Sequence, residues 1–95
     1  MSIIENKSIW LFHGSGGRFA SAVFTSVDKA EAWIRKYKLD GILTEYPLDV
    51  GVYDWSIENG IFDIKKEEHT TSIFIQKFTS AGQEHFHYEN GKREE

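Results

Sequence analysis

One stretch of this chain limits its folding options more than any other. Ala30, Trp33, Ile34 and Tyr37 fall at i, i+3, i+4 and i+7, a spacing that lines side chains along one side of an α-helix. Thr25 and Asp28 stand at capping-box separation, with Ser26 as the alternative cap. Lys36 and Lys38 suit the negative end of the helix dipole, and Asp40-Gly41 reads as the stop. A helix with a single apolar stripe must bury it against a second layer, and the flanking runs can supply that layer.

"SIWLFH" is bulky on both faces, with Ile9 and Leu11 on one and Trp10 and Phe12 on the other. A strand of that kind is usually central or covered twice. "RFASAVFT" can return against it as a hairpin. After the helix, Ile42 to Tyr46 reads as a third strand, ended by Pro47, which has no amide hydrogen for a ladder. "DVGVYDWSIENG" reads as a short helix, with Tyr53 and Ile57 four apart and Asn59-Gly60 as its stop. A charged connection, Lys65 to Glu68, leads to Thr70–Phe78. There alternation and β-branching compete with the helical pair Phe74 and Phe78; the preferred reading is a short helix capped by Thr70 or Thr71. "QEHFHYENG" alternates, with Phe86 and Tyr88 on one side and His85, His87 and Glu89 on the other. The order β-β-α-β-α-α-β predicts an α+β fold, a mainly antiparallel sheet of about four strands packed against helices.

The 95 residues suit one domain, 1–95, with an ordered core over about residues 8–90 and a frayed tail in "NGKREE". Three Trp, four Tyr and seven Phe let so short a chain bury much area from few positions. With no cysteine, disulfides, thiolate nucleophiles and cysteine zinc sites are excluded. A formal net charge of −4 disfavours nucleic acid, whose binding needs Lys and Arg against phosphate, and is compatible with a basic protein partner. No run approaches the roughly 18 apolar residues of a membrane span, and no basic region leads into an apolar stretch as in a secretory signal. The expectation is a cytoplasmic chain that meets neither membrane nor nucleic acid.

"HGSGGR" invites three readings. An oxyanion loop of the esterase kind would come with a Gly-x-Ser-x-Gly elbow, which is missing. A phosphate loop needs a different glycine spacing and a helix after it. A four-residue hairpin connection needs only the conformational freedom of Gly14, Gly16 and Gly17, and this reading is preferred. His85-x-His87 is the most suggestive pair. Residues two apart on a strand share a face, and two imidazoles there can converge on zinc. Glu89 continues that face and His13 could approach it, so His85, His87, His13 and Glu89 form the candidate metal set. The competing reading is a solvated polar face, which requires no cofactor. His69 reads as a loop residue. Asp54 beside Trp55 could be a semi-buried acid, although a helix cap for Asp49 and an outward position for Asp54 are the more ordinary roles. No Ser/His/Asp constellation can be picked out, and no catalytic residue is named. Tyr46, Tyr53, Trp55 and Phe62 are the candidate partner-binding aromatics, in competition with a plain core role.

Taken together, "WLFHGSGGRF", "YPLDVGVYDW" and "QEHFHYENG" resemble a family of small bacterial single-domain proteins known as a domain of unknown function. The resemblance covers about Ser8 to Gly91 and implies a compact domain with no assigned activity or site. The reading of the residues favours a non-enzymatic protein-interaction module, immunity-like or regulatory. Its alternative is a metal-dependent or small-ligand enzyme built on the histidines.

Overall fold

The computed structural model describes residues 8–94. Its sheet has five strands in the order β2-β1-β3-β4-β5: β1 (Ser8–Gly14), β2 (Ala22–Phe24), β3 (Gly41–Pro47), β4 (His85–Glu89) and β5 (Lys92–Arg93). Every neighbouring pair is antiparallel. Helix α1 (Val27–Tyr37) follows β2, while α2 (Val52–Glu58), a 3-10 turn (Glu67–Thr70) and α3 (Ser72–Lys77) lie between β3 and β4. The chain forms two compact units. One holds the sheet and α1, running up to Leu48 and resuming at Gln83; the other is Asp49–Gly82. No helix among the described residues is long and apolar enough to cross a membrane.

Register decides which side chains meet α1. Phe12 stands opposite Ala22 on one neighbour and Leu43 on the other, and Leu43 stands opposite Phe86. Side chains alternate along strands, so Trp10, Phe12, Phe24, Leu43, Phe86 and Tyr88 share the face that α1 covers. The core is Phe12, Leu43 and Tyr88 from the sheet with Ala30 and Ile34 from the helix. Trp33 closes its margin, edge-on to Phe12 at 5.8 Å and tilted against Phe24 at 5.6 Å. Burying a side chain the size of Ile34 or Leu43 contributes about 1.5–3 kcal/mol. The predicted stripe holds through Ile34, but Tyr37 is largely exposed.

Several expectations need correction. Among the described residues the strands number five, because the tail expected to fray turns back at Asn90-Gly91 and pairs as β5. The returning hairpin strand is only Ala22–Phe24; Phe19 is 76% exposed, and the connection from β1 spans residues 15–21. Ser26 rather than Thr25 caps α1, accepting from the Lys29 amide. That helix ends at Lys38, whose left-handed backbone (φ 54°, ψ 52°) lets Leu39 N donate to Ile34 O. Gly41 is therefore not the stop. It belongs to β3, where a Cβ would run into His13 O and come within 2.6 Å of the Phe12 ring. Gly51, not Asp49, occupies the α2 N-cap.

In the Asp49–Gly82 unit, Thr71 caps α3 by accepting from Phe74 N, as one of the two expected caps. Tyr53, Phe62, Phe74 and Phe78 make a ring cluster, with Phe62 and Phe78 centred 4.9 Å apart. Tyr53 Oη donates to His69 O at 2.7 Å, and Lys65 N donates to His69 Nδ1 at 3.1 Å. His69 is thus tied into the 3-10 turn, and its ring lies 4.8 Å from Phe74.

Candidate functional site

The sheet face turned away from α1 carries Leu11, His13, Val23, Ile42, Thr44, His85, His87 and Glu89 by register. Within it His13, Val23, Ile42, His85, His87 and Glu89 are exposed. Val23 is 61% and Ile42 38% accessible, which leaves branched apolar side chains in solvent between polar ones.

The glycine loop closes one end of this face. Gly17 N donates to Gly14 O at 2.9 Å, and Gly16 sits third in that turn with φ 82°, the position where a type II turn calls for glycine. Ser15 N donates to Asp40 O at 2.9 Å. Two of the loop's amides are thereby committed to the backbone, and the loop turns the chain. His13 Nε2–H donates to Gly17 O at 2.6 Å, which orients that ring toward the loop.

Of the candidate metal set, the structure brings two together. The His85 and His87 ring centres are 5.4 Å apart at 74°. His85 Nδ1–H donates to Gln83 O at 2.8 Å, and the buried Gln83 side chain donates in turn to Glu45 O at 3.0 Å. His13 shares the face but stands across Ile42 from His87, two strand spacings or roughly 9–10 Å away at the backbone. Among the described residues no group of three or more His, Asp or Glu is placed to hold a metal ion.

Glu89 belongs instead to an acidic corner. Asp40, Glu89 and Glu94, with Ser15, Ile42 and His87, line an open concavity of about 330 Å³. Hydrogen bonding with Glu94, then the charges of Glu94 and Asp40, push the Glu89 carboxyl above the usual range. Asp40 Oδ1 accepts from Asn90 N at 2.6 Å, and the β4–β5 pairing, continued by Glu94 N donating to His87 O at 2.8 Å, brings Glu94 back beside β4. From the sequence Asp40 reads only as part of a helix stop, and neither it nor Glu94 is among the candidate site residues. The Asn90-Gly91 pair after an alternating run is the hairpin signal that could have located them.

On the opposite face Tyr88 Oη donates to Glu31 Oε2 at 2.6 Å, and Arg93 meets the same oxygen through Nε at 2.8 Å and through its terminal nitrogen at 2.6 Å. The Arg93 guanidinium lies 3.9 Å over the Phe86 ring. This clasp joins β4 and β5 to α1. Burial works against the Glu31 charge, but the bonds from Tyr88 and Arg93 outweigh it and hold the carboxyl below its ordinary value.

The four candidate partner-binding aromatics have different placements. Tyr53 is buried and Phe62 half-buried, their ring centres 6.1 Å apart within the cluster. Trp55, on α2, and Tyr46, on β3, are half-buried. Asp54 is exposed, as its ordinary reading expected.

No curated protein matches this sequence, and no solved structure matches it. A family described as a domain of unknown function, DUF7710, matches residues 9–94. That span runs from β1 through β5 and agrees with the resemblance carried by the three aromatic-rich stretches. The chain belongs to the DUF7710 family.

Proposed function

We propose that this domain is a non-enzymatic module that docks a basic protein partner on the exposed part of its sheet face. The observation that carries this reading is the pairing of solvent-exposed Val23 and Ile42 with the acidic corner of Asp40, Glu89 and Glu94 on one surface. Apolar side chains in the middle and like charges at the rim are what a protein-docking patch combines. Lys or Arg at the rim would relieve the crowding of like charge among Asp40, Glu89 and Glu94. A net charge of −4 adds long-range attraction for a basic partner. A cysteine-free chain suits a reducing cytoplasm, and an immunity-like or regulatory role is the kind of work such a module does.

An enzymatic reading has less support. A catalytic zinc takes three protein ligands, and His13 is held apart by Ile42 and the Gly17 carbonyl.

The test is reconstitution. A basic protein recovered with the domain at low salt is purified and titrated against wild type and against the Asp40→Asn, Glu89→Gln, Glu94→Gln variant. The expected result is a stoichiometric complex that weakens with salt and weakens at least about tenfold in the variant, since each lost charge pair removes part of the steering and register. A complex unaffected by the variant and by Ile42→Asp, or no reconstituted complex at all, contradicts the reading.

A further inference from the structure

We propose that His85 and His87 form a two-imidazole chelate for a divalent transition metal, with zinc as its occupant. Their ring centres lie 5.4 Å apart. Two imidazoles sharing one zinc at about 2.0–2.1 Å and a tetrahedral angle have ring centres about 5.2 Å apart. The ring separation thus matches that of a chelate.

The ring of His85 is also set in the right tautomer. Its Nδ1–H is spent on Gln83 O at 2.8 Å, which leaves the Nε2 lone pair for a metal. A carbonyl behind a ligating histidine is the usual support of such sites. That carbonyl stands on a fixed segment, because Gln83 is 4% exposed and its side chain is anchored to Glu45 O. His87 opens onto the concavity that holds Glu89, Glu94 and Asp40, whose charge favours an approaching dication without supplying a third ligand. Neutral nitrogen donors select Zn²⁺, Ni²⁺ and Cu²⁺ over Mg²⁺ and Ca²⁺.

Two protein donors leave the remaining coordination positions to water, so the ion exchanges and the fold does not depend on it. With half the ligands of a structural zinc site, the dissociation constant is expected on the order of 1–100 µM. Binding weakens in acid, since a protonated imidazole has no lone pair to give. The site stands independently of the proposed partner, because it is measured on the domain alone.

The experiment titrates zinc chloride into the metal-free full chain, following imidazole and amide NMR signals and calorimetric heats. The expected result is one saturable equivalent with shifts centred on His85 and His87, unaffected by excess magnesium chloride. Both side chains are exposed, so His85→Asn and His87→Asn leave the amide spectrum folded; each lowers affinity at least about tenfold, as loss of one of two ligands requires. His13→Asn and His69→Asn leave affinity unchanged. Shifts spread evenly over all four histidines, or affinity that survives His85→Asn, overturns the proposal.

Discussion

Single positions in this fold are decided by close approach and by who shares an oxygen. Gly41 stands opposite Gly14 in the β1–β3 ladder, and a methyl group there would strike the His13 carbonyl and the Phe12 ring. Gly41→Ala should therefore cost about 1–3 kcal/mol, the usual penalty of overpacking, read as a lower urea midpoint with unchanged slope. The Glu31 oxygen serves both Tyr88 and Arg93. Its carboxyl titrates below its ordinary value of 4.5 when folded, so its contribution is complete above that value and is lost as pH falls through the lower, folded one. Glu31→Gln should thus narrow the stability difference from wild type as pH drops from 7 to about 3, with a gap of no more than about 1 kcal/mol at neutrality, since the Arg93 and Glu31 side chains remain 40% and 23% accessible and solvent screens such a pair. Tyr88 behaves oppositely. Burial, then its bond to Glu31, raises it to about 12; the stability this confers is present below its unfolded value of 10.0 and is lost as pH rises through 12. Urea midpoints across pH for wild type, Glu31→Gln and Tyr88→Phe check both directions. Gly41 could be read from the sequence as a glycine that mattered, but not for the right reason: "DG" after a helix looks like a stop, and only the register of β3 against β1 shows a packing role.

Elements were legible where one periodicity dominated. The α1 stripe and the alternation of β4 each have one solution, and both formed as expected apart from the exposed Tyr37. α3 emerged as the helix its Phe74 and Phe78 spacing implied. β5 was missed because Lys92 and Arg93 are charged and the strand is two residues long. Its signal lay in the turn: Asn90 and Gly91 adopt φ 51° and 81°, the left-handed pair a two-residue hairpin loop demands. Gly91 is buried near Lys38 and Ile34 of the α1 end, and its N–H donates to Leu39 O at 2.9 Å. Gly91→Ala should therefore loosen both β5 and the end of α1, at a cost of about 1–2 kcal/mol in combined strain and crowding. Amide hydrogen exchange checks this, with protection falling at Gly91 and Leu39 and unchanged at Leu43. The candidate metal set was half legible for a related reason. Spacing along β4 fixed His85 and His87, while the position of His13 depended on strand order, which no local pattern records.

At the scale of the molecule, the sheet with α1 is interrupted by residues 49–82, a compact unit with its own ring cluster. Segments below roughly 40 residues seldom fold alone without disulfides or metals, and this one has no cysteine. A peptide of residues 49–82 is expected to be disordered in isolation, with a random-coil circular dichroism spectrum; a folded, cooperatively melting peptide would contradict the expectation of one domain. The sheet face opposite α1 is the proposed docking surface. The most direct test maps amide chemical shifts of the labelled chain as a reconstituted basic partner is added. Shifts centred on Val23, Ile42, His87 and Glu89 are expected, with Ala30 and Ile34 under α1 unmoved. Shifts centred instead on exposed Ile64 and Ile73 of the other unit would contradict it.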